Sequence, residues 1–277
     1  MICLGVDIGG TSVKAAALKN GRCLWTSRSG AYRRPSSQDL CRAIADAVGN
    51  RLVDFDRVGL CVPGILDESR NVVTHAVNVP GLVGLPLDRL VSESLKIGGP
   101  RPTTILNDAH AAGLDIFYSR NILGRLLVLS LGTGVGAAVL DDGKPLPVEG
   151  DSPGHLGQMD VSIAGHDVIG PDGGAGGLEG YIGAAAIGDR IDSLRADDPA
   201  ILALVRAIRI GHAIYRPNWV WLCGGIGIRL RRLLPGIREL VGRGLTSVAR
   251  AGWTLECGED DFHAARGVGW AACLAND

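Results

Sequence analysis

The sequence predicts an α/β protein made of two copies of one unit, and three observations carry that expectation. Short apolar runs at 2–6, 58–62, 104–106, 126–131 and 219–223 read as buried strands, interleaved with stretches whose apolar residues recur every three or four positions. A segment of strand, Gly-Thr turn, strand, turn and strand occurs twice in one register. The length, 277 residues, accommodates two domains at the usual ~100 to 200 residues each.

Residues 2–6 form the first strand, which ends at Asp7; Gly9-Gly10-Thr11 turns the chain and 13–18 returns as the second. Lys19-Asn20-Gly21 is a hairpin turn, because Asn-Gly supplies the positive φ angles that a two-residue loop needs, and 22–26 is the third strand. Leu40, Ile44, Val48 and Leu52 recur at four-residue spacing behind Ser36 or Ser37 as N-cap, which predicts an amphipathic helix. Strand 58–62 stops at Pro63-Gly64. The stretch 71–87, with Pro80, Gly81, Gly84 and Pro86, reads as a loop, followed by a helix near 87–95 and the strand that leads to Asn107-Asp108.

Laying 10–22 over 132–144 brings Val13, Ala15, Ala16 and Leu18 onto Val135, Ala137, Ala138 and Leu140, and Asn20-Gly21 onto Asp142-Gly143. The domain boundary is therefore expected between the copies, in the helix after Asp108, giving an N-terminal domain at 1–115 and a C-terminal one at 116–261. Residues 151–183 are glycine-rich and irregular, long enough for a functional loop. Helices are expected at 184–194, 201–215 and 228–240, with strand 219–223 broken by Gly224-Gly225. The small and apolar residues of 264–274 predict a last helix, and 262–277 is expected to pack back on the first domain.

With 46% apolar and 21% charged residues, the chain can bury a sizeable core. A formal charge of −1 gives no electrostatic reason to expect nucleic acid or an anionic membrane, and the basic run 229–232 reads as a solvated helix face. Cys3, Cys23, Cys41, Cys61, Cys223, Cys257 and Cys273 lie far apart, in an odd total and without a Cys-x-x-Cys pair, which suits reduced core thiols in a cytosolic protein. The apolar run at 2–6 is too short for a signal peptide and follows no basic segment. No apolar stretch free of Gly, Pro and charge approaches the ~20 residues of a membrane span.

Asp108 stands where an apolar run gives way to an Ala-rich helical pattern. At such a junction helix amides hold a carboxylate ionised and the sheet holds it still, which makes Asp108 a candidate base; Asn-Asp before a helix is also ordinary N-cap chemistry. A Gly-Thr turn gathers N–H groups and a hydroxyl and puts no side chain in the way of an anion. Gly9, Gly10 and Thr11, and again Gly132, Thr133 and Gly134, are thus candidate phosphate contacts. One such turn alone is an ordinary hairpin, and the repetition in register is what raises the pair above it. Asp7 either sits beside the phosphates and holds Mg²⁺ through water, or caps the turn. Lys14 reads as a solvent-facing lysine before it reads as a phosphate contact. Gly224 and Gly225 either admit an adenine ring or simply start a helix.

In order and spacing, Asp7-Ile8-Gly9-Gly10-Thr11, Pro63-Gly64, Asn107-Asp108, Gly132-Thr133-Gly134 and Cys223-Gly224-Gly225 resemble the motif set of the ROK family, over residues 2–274. The resemblance implies the duplicated ribonuclease-H-like, or actin-like ATPase, α/β fold, with two domains around a central cleft where ATP and sugar meet. It implies that Asp108 takes the proton of a sugar hydroxyl as that oxygen attacks the γ-phosphorus, while Mg²⁺ and the two turns hold the phosphates. By the same resemblance Gly64 offers backbone contacts to the sugar, Asn78 and Asn107 bond its hydroxyls, and Glu179 is an acidic contact at its other end. Its partners are then a small-molecule sugar and ATP in the cytoplasm; ROK proteins are often homodimers, though no residue here shows an interface. The family's repressors carry a DNA-binding domain before the first strand, and with that strand at residue 2 DNA binding is not expected.

Two departures stand out. Kinases of the family usually show Gly-Glu-x-Gly-His, with the glutamate on the sugar and the histidine shared between the sugar and a structural zinc. Here the stretch is Gly154-His155-Leu156-Gly157-Gln158, so His155 replaces the acid and Gln158 the zinc-binding histidine. Gly170, Asp172 and Gly177 stand where three thiolates would be, so no zinc is expected. His155 and Gln158 become candidate sugar contacts, beside the plainer reading of His155 as a loop imidazole; His166 is a weaker candidate, and glucose is not the expected substrate. The expectation is an ATP-dependent sugar kinase. Its rivals are a sugar- or nucleotide-binding regulatory protein without turnover, and an enzyme that hydrolyses the phosphate or passes it to something other than sugar.

Overall fold

The computed structural model describes residues 1–51, 55–96, 103–148 and 153–275; Leu52 of the first helical repeat and 151–152 of the glycine-rich stretch lie outside them. The chain folds as two compact units, Met1–Asp115 with Phe262–Asp277, and Ile116–Asp261.

In the first unit, β1 (Ile2–Ile8), β2 (Val13–Lys19) and β3 (Arg22–Arg28) form an antiparallel meander. Asn20 and Gly21 turn it at φ 49° and 77°, the mirror-image hairpin geometry that Asn-Gly favours. Helix α1 (Ser37–Val48) opens on a capping box: the Ser36 hydroxyl accepts from the Asp39 amide at 3.2 Å and the Asp39 carboxylate accepts from the Ser36 amide at 2.9 Å. Ser36 is thus the cap of the two serines proposed. The buried stripe Leu40, Ala43, Ile44, Ala47 and Val48 turns inward.

Strand β4 (Arg57–Val62) runs parallel to β1; β5 (Ile65–Leu66) pairs with β6 (Val73–His75), which falls within the stretch 71–87 read as a loop, and α2 (Leu87–Leu95) follows. Strands of two and three residues are too short to leave a period-two signature in the sequence. Strand β7 (Thr103–Asn107) adds in parallel to β4, giving the order β3-β2-β1-β4-β7, and α3 (Asp108–Ser119) follows without a gap. Because side chains alternate along a strand, Leu4, Val6, Leu60 and Val62 pack with Leu40 and Ile44 of α1 on one face, while Cys61 and Leu106 meet α3 on the other.

The second unit repeats the plan with β8 (Arg125–Leu131), β9 (Val135–Asp141) and β10 (Lys144–Pro145), a meander whose second turn, Asp142-Gly143, takes φ 47° and 82°. After the glycine-rich stretch come α4 (Leu178–Ile182), α5 (Ala184–Ile187) and α6 (Pro199–Tyr215). The helix expected at 184–194 breaks at Gly188, whose φ of 52° ends α5 and starts a 3-10 segment. Strand β11 (Trp219–Cys223) leads to α7 (Gly224–Arg229), and the helix expected at 228–240 resolves into the end of α7, a 3-10 turn and α8 (Leu234–Arg243), with Pro235 in the first turn of α8. Strand β12 (Thr254–Cys257), which the sequence reading passes over, completes the order β10-β9-β8-β11-β12. Leu127, Leu129 and Leu131 of β8 pack with Val220, Leu222 and the apolar face of α6.

Helix α9 (His263–Leu274) belongs to the first unit. It lies on β1 and β4 at Gly5 and Gly59, which are register partners; a Cβ on either would stand 1.9 Å and 2.0 Å from the carbonyl oxygens of Ala265 and Val268. Only glycine admits a helix backbone that close. Asp115 of α3, 2% exposed, anchors the start of α9: its Oδ2 lies 2.6 Å from His263 Nδ1 and accepts from Arg266 Nε at 3.0 Å. The far end is tied covalently. Cys3 and Cys273 form a disulfide with Cα atoms 5.9 Å apart, which corrects the expectation that every thiol is reduced, and Cys23 is exposed, not part of a core. That pairing leaves no local signal, since the two cysteines are 270 residues apart in sequence.

Candidate active site

In the first unit the C-terminal ends of three parallel strands bring the acids together. Asp7 of β1 is the register partner of Cys61 in β4, and Cys61 of Leu106 in β7, so Asp108 begins α3 at the same edge of the sheet. Open α/β sheets place their ligands at that edge. Asp7 is 4% exposed, and its Oδ2 lies 3.3 Å from Lys14 Nζ across the β1–β2 ladder. Lys14 is therefore not the solvent-facing residue that its sequence context suggests: its ammonium pairs with Asp7 across the ladder.

The Ala109 amide donates to Asn107 Oδ1 at 3.0 Å and to Asp108 Oδ1 at 2.8 Å, so Asn107 takes the capping position and Asp108 is the first helical residue. The expectation that helix amides keep Asp108 fully ionised meets stronger opposing effects. Burial first, and then the Asp7 charge, push its carboxyl up to about 6, against the pull of the Ala109 amide and Lys14. Some of its surface stays open. An acid in that range is mostly ionised at neutral pH yet basic enough to accept a proton. Cys61, fully buried between the same carboxylates, is pushed well above the ordinary thiol range and stays neutral.

The turn that follows β1 is closed by Gly9 N–H donating to Ser12 O at 3.1 Å. Among the described residues no protein acceptor takes the Gly10 or Thr11 amide. Tyr32, a residue that sequence reading passes over, grips this turn: its hydroxyl donates to Gly9 O at 2.6 Å and its amide to Thr11 O at 2.8 Å. A lone tyrosine in a polar stretch gives no signal of such a role. Gly64, at φ 97°, continues from β4 beside the His75 carbonyl of β6, which a Cβ would approach to 2.1 Å. Asn78 is exposed between buried Ala76 and Val79.

In the second unit the turn after β8 is one residue tighter, 132–134 against 9–12, and closes by Gly132 N–H donating to Gly134 O at 3.0 Å. The Thr133 and Gly134 amides likewise donate to no described acceptor. Ala184 N–H donates to Gly132 O at 3.0 Å, and Glu179 Oε2 accepts from Val135 N–H at 2.9 Å, placing this half-buried acid against the turn. Burial raises the Glu179 carboxyl above its usual range, and the Val135 amide opposes that. Gly224, at φ 77°, abuts the Leu131 carbonyl at the root of the turn, where a Cβ would stand at 2.4 Å; Gly225 beside it faces open space.

His155 is exposed and precedes a 3-10 turn, 156–158, that packs against Val135. Gln158 Nε2 donates to Asp172 Oδ2 at 2.9 Å, and Tyr181 binds the loop by accepting from Ile163 N–H at 2.9 Å and donating to His166 O at 2.6 Å. His166 is exposed and joins the loop through its backbone. Gln158, Gly170, Asp172 and Gly177 present one amide and one carboxylate, a donor set that does not fit tetrahedral zinc. Among the described residues no three His, Cys, Asp or Glu side chains gather as a metal cage. For Mg²⁺ the demand differs, one or two carboxylates completed by phosphate and water, and Asp7 with Asp108 nearby meets it.

The sequence profile of the ROK family matches residues 3–203. The N-acetyl-D-glucosamine kinase of Escherichia coli O127:H6 is 30% identical over 178 residues, 61% of this chain and 55% of that protein. The chain thus spans about half the length of the curated relatives it matches. Among solved structures, the ROK hexokinase from Thermus thermophilus superposes with a TM-score of 0.72 at 23% identity over 99% of this chain and 98% of that one. A ROK family glucokinase from Streptomyces griseus, in complex with glucose and AMPPNP, does so with a TM-score of 0.74 at 21% identity over 99% of both. The fold is therefore the duplicated actin-like α/β fold. No described helix is long and apolar enough to cross a membrane.

Proposed function

Since this chain belongs to the ROK family, we propose that it is an ATP-dependent kinase that transfers the γ-phosphate to a hydroxyl of a hexose or related sugar, with Asp108 as general base. The observation that carries the proposal is the acid pair at the sheet edge: Asp108 is raised to about 6 beside the Asp7–Lys14 ion pair, next to a turn with unengaged amides. In the step, the sugar oxygen bonds to the γ-phosphorus, its proton passes to Asp108, and the bond from phosphorus to the β,γ-bridging oxygen breaks to release ADP.

Gly9, Gly10 and Thr11, and in the second unit Gly132, Thr133 and Gly134, hold the phosphate chain through backbone amides and hydroxyls. Gly224 and Gly225 border the adenine. Asp7 would hold Mg²⁺, and the ion would supply charge neutralisation for the phosphates. Gly64, Asn78, Asn107 and Glu179 surround the sugar, with Asn107 keeping its amide nitrogen free of the capping bond. His155 donates where an acid is usual in the family, which favours an acceptor-bearing substituent on the sugar; the 30% identical relative is named for an N-acetylated amino sugar. Gln158, whose amide is bonded to Asp172, is a further candidate contact of the sugar.

The test is ADP release over a panel of aldoses, ketoses, amino sugars and anhydro sugars, with bound zinc measured on the same preparation. One sugar is expected to stand out, without stoichiometric zinc. A second reading, sugar binding without turnover, is favoured by the replacement at His155; calorimetric sugar binding with no ADP from any member of the panel would select it. Phosphate release without sugar would select hydrolysis instead.

A further inference from the structure

We infer that Tyr32 is a positioning residue for the nucleotide phosphates, fixing the peptide planes of the first Gly-Gly-Thr turn so that its amides are presented to an anion. The inference rests on the assignment of phosphate to that turn. Gly9-Gly10 is the most freely rotating pair of residues in the segment, because neither carries a Cβ, so an unrestrained turn would sample flipped peptides. In a trans peptide the C=O and the N–H point to opposite sides, and no described peptide is cis. The Tyr32 hydroxyl holds the Gly9 carbonyl at 2.6 Å and therefore sends the Gly10 N–H to the side away from Tyr32. Its own amide, holding the Thr11 carbonyl at 2.8 Å, does the same for the next peptide but one. The two bonds bracket the Gly10–Thr11 peptide.

Three further features fit this role and not that of a surface tyrosine. The phenol is raised above its ordinary range by burial and then by the Asp7 charge, as befits a hydroxyl enclosed beside the turn. The strand before it is registered to the turn by Ser29, whose Oγ accepts from Val13 N–H at 3.0 Å and whose amide donates to Val13 O at 2.9 Å. The second turn reaches the same result by another route, with Ala184 N–H on the Gly132 carbonyl sending the Thr133 amide the opposite way.

The experiment compares the wild-type chain with Tyr32→Phe, and with Tyr32→Leu as a second variant, by calorimetry with MgADP and by steady-state kinetics. Loss of the hydroxyl bond in Tyr32→Phe is expected to weaken MgADP and raise KM for ATP by about three- to tenfold, with KM for the sugar almost unchanged and the melting temperature lowered by no more than roughly 4 °C. If the wild type binds MgADP and Tyr32→Phe binds it equally well, the inference is wrong and the kinase reading is untouched. Parallel rises in both KM values with a larger fall in melting temperature would also overturn it, since that is a merely structural residue. A wild type that binds no MgADP removes the phosphate assignment, and the inference falls with it.

Discussion

The two units share a strand order and a turn sequence, yet they differ in what surrounds the turn, and the difference divides the chemistry between them. In the first unit Lys14 faces Asp7 across the ladder; in the second, Gly136, which the repeat aligns with Lys14, faces Ser130. The first turn is held by a neutral donor, Tyr32, and the second by an acid, Glu179, together with the Ala184 amide. Duplication has kept what backbone topology needs, the Gly-Thr turn and the mirror-image hairpins, while the placement of charge differs: the first ladder has its ion pair, Asp7 with Lys14, at the turn end, and the second has its own, Arg125 with Asp141, at the far end. The proposed catalytic acid stands beside the turn-end pair.

The sharpest test of that asymmetry is Asp108→Asn. Turnover is expected to fall by about 10²- to 10⁴-fold while MgADP binding persists, measured by coupled ADP release and calorimetry. The sign for stability is opposite: a carboxyl raised to about 6 in the folded state, against about 3.9 unfolded, is destabilising when ionised, at pH above 6. Asn at 108 should therefore raise stability at pH 8 by on the order of 1 to 3 kcal/mol, and the gain should fade as pH falls from 6 to 4. In the wild type kcat/KM for the sugar should climb through about pH 6 to a plateau, since the base works deprotonated and this ratio reports the free enzyme. A midpoint near pH 4 would show that Asp7 and burial do not act on it.

Packing offers a second contrast. Glycine lies on the strands beneath α9 in the first unit, whereas in the second it lies on α6, where a Cβ at Gly211 would meet Leu127 Cδ2 at 2.6 Å. A carbonyl in a helix cannot move aside and a leucine methyl can. Gly5→Ala is expected to cost roughly 3 kcal/mol or more, and Gly211→Ala less than about 1.5 kcal/mol, in urea unfolding. Equal costs would erase the distinction. The smallest effect is expected at Glu179: Gln keeps an oxygen for the Val135 amide, so Glu179→Gln should alter MgADP affinity by less than about threefold, and Glu179→Ala by more.

How much is legible in the sequence follows from how local each feature is. The Ser36 cap, the Asn-Gly and Asp-Gly hairpins and the alternation that buries Leu4, Val6 and Leu60 are each written within a few residues. The capping of α3 by Asn107 is equally local, as the Asn-Asp pair before the helix suggests, whereas the Lys14 ion pair and the pull of Asp7 on Asp108 depend on strands brought side by side, and no local pattern encodes them. Tyr32 lies in the same class, as do Cys3 with Cys273. The strands β5, β6 and β12 are hidden for another reason: two to four residues are too few for a period to appear.

Helix α9 carries a consequence for how the protein is made. A ribosome releases it after the whole of the second unit, so the glycine groove on β1 and β4 stays uncovered while the intervening residues are synthesised. The first unit is thus completed only after the second has been made, and a nascent chain stalled between Asp115 and His263 would leave the sheet face beneath α9 uncovered.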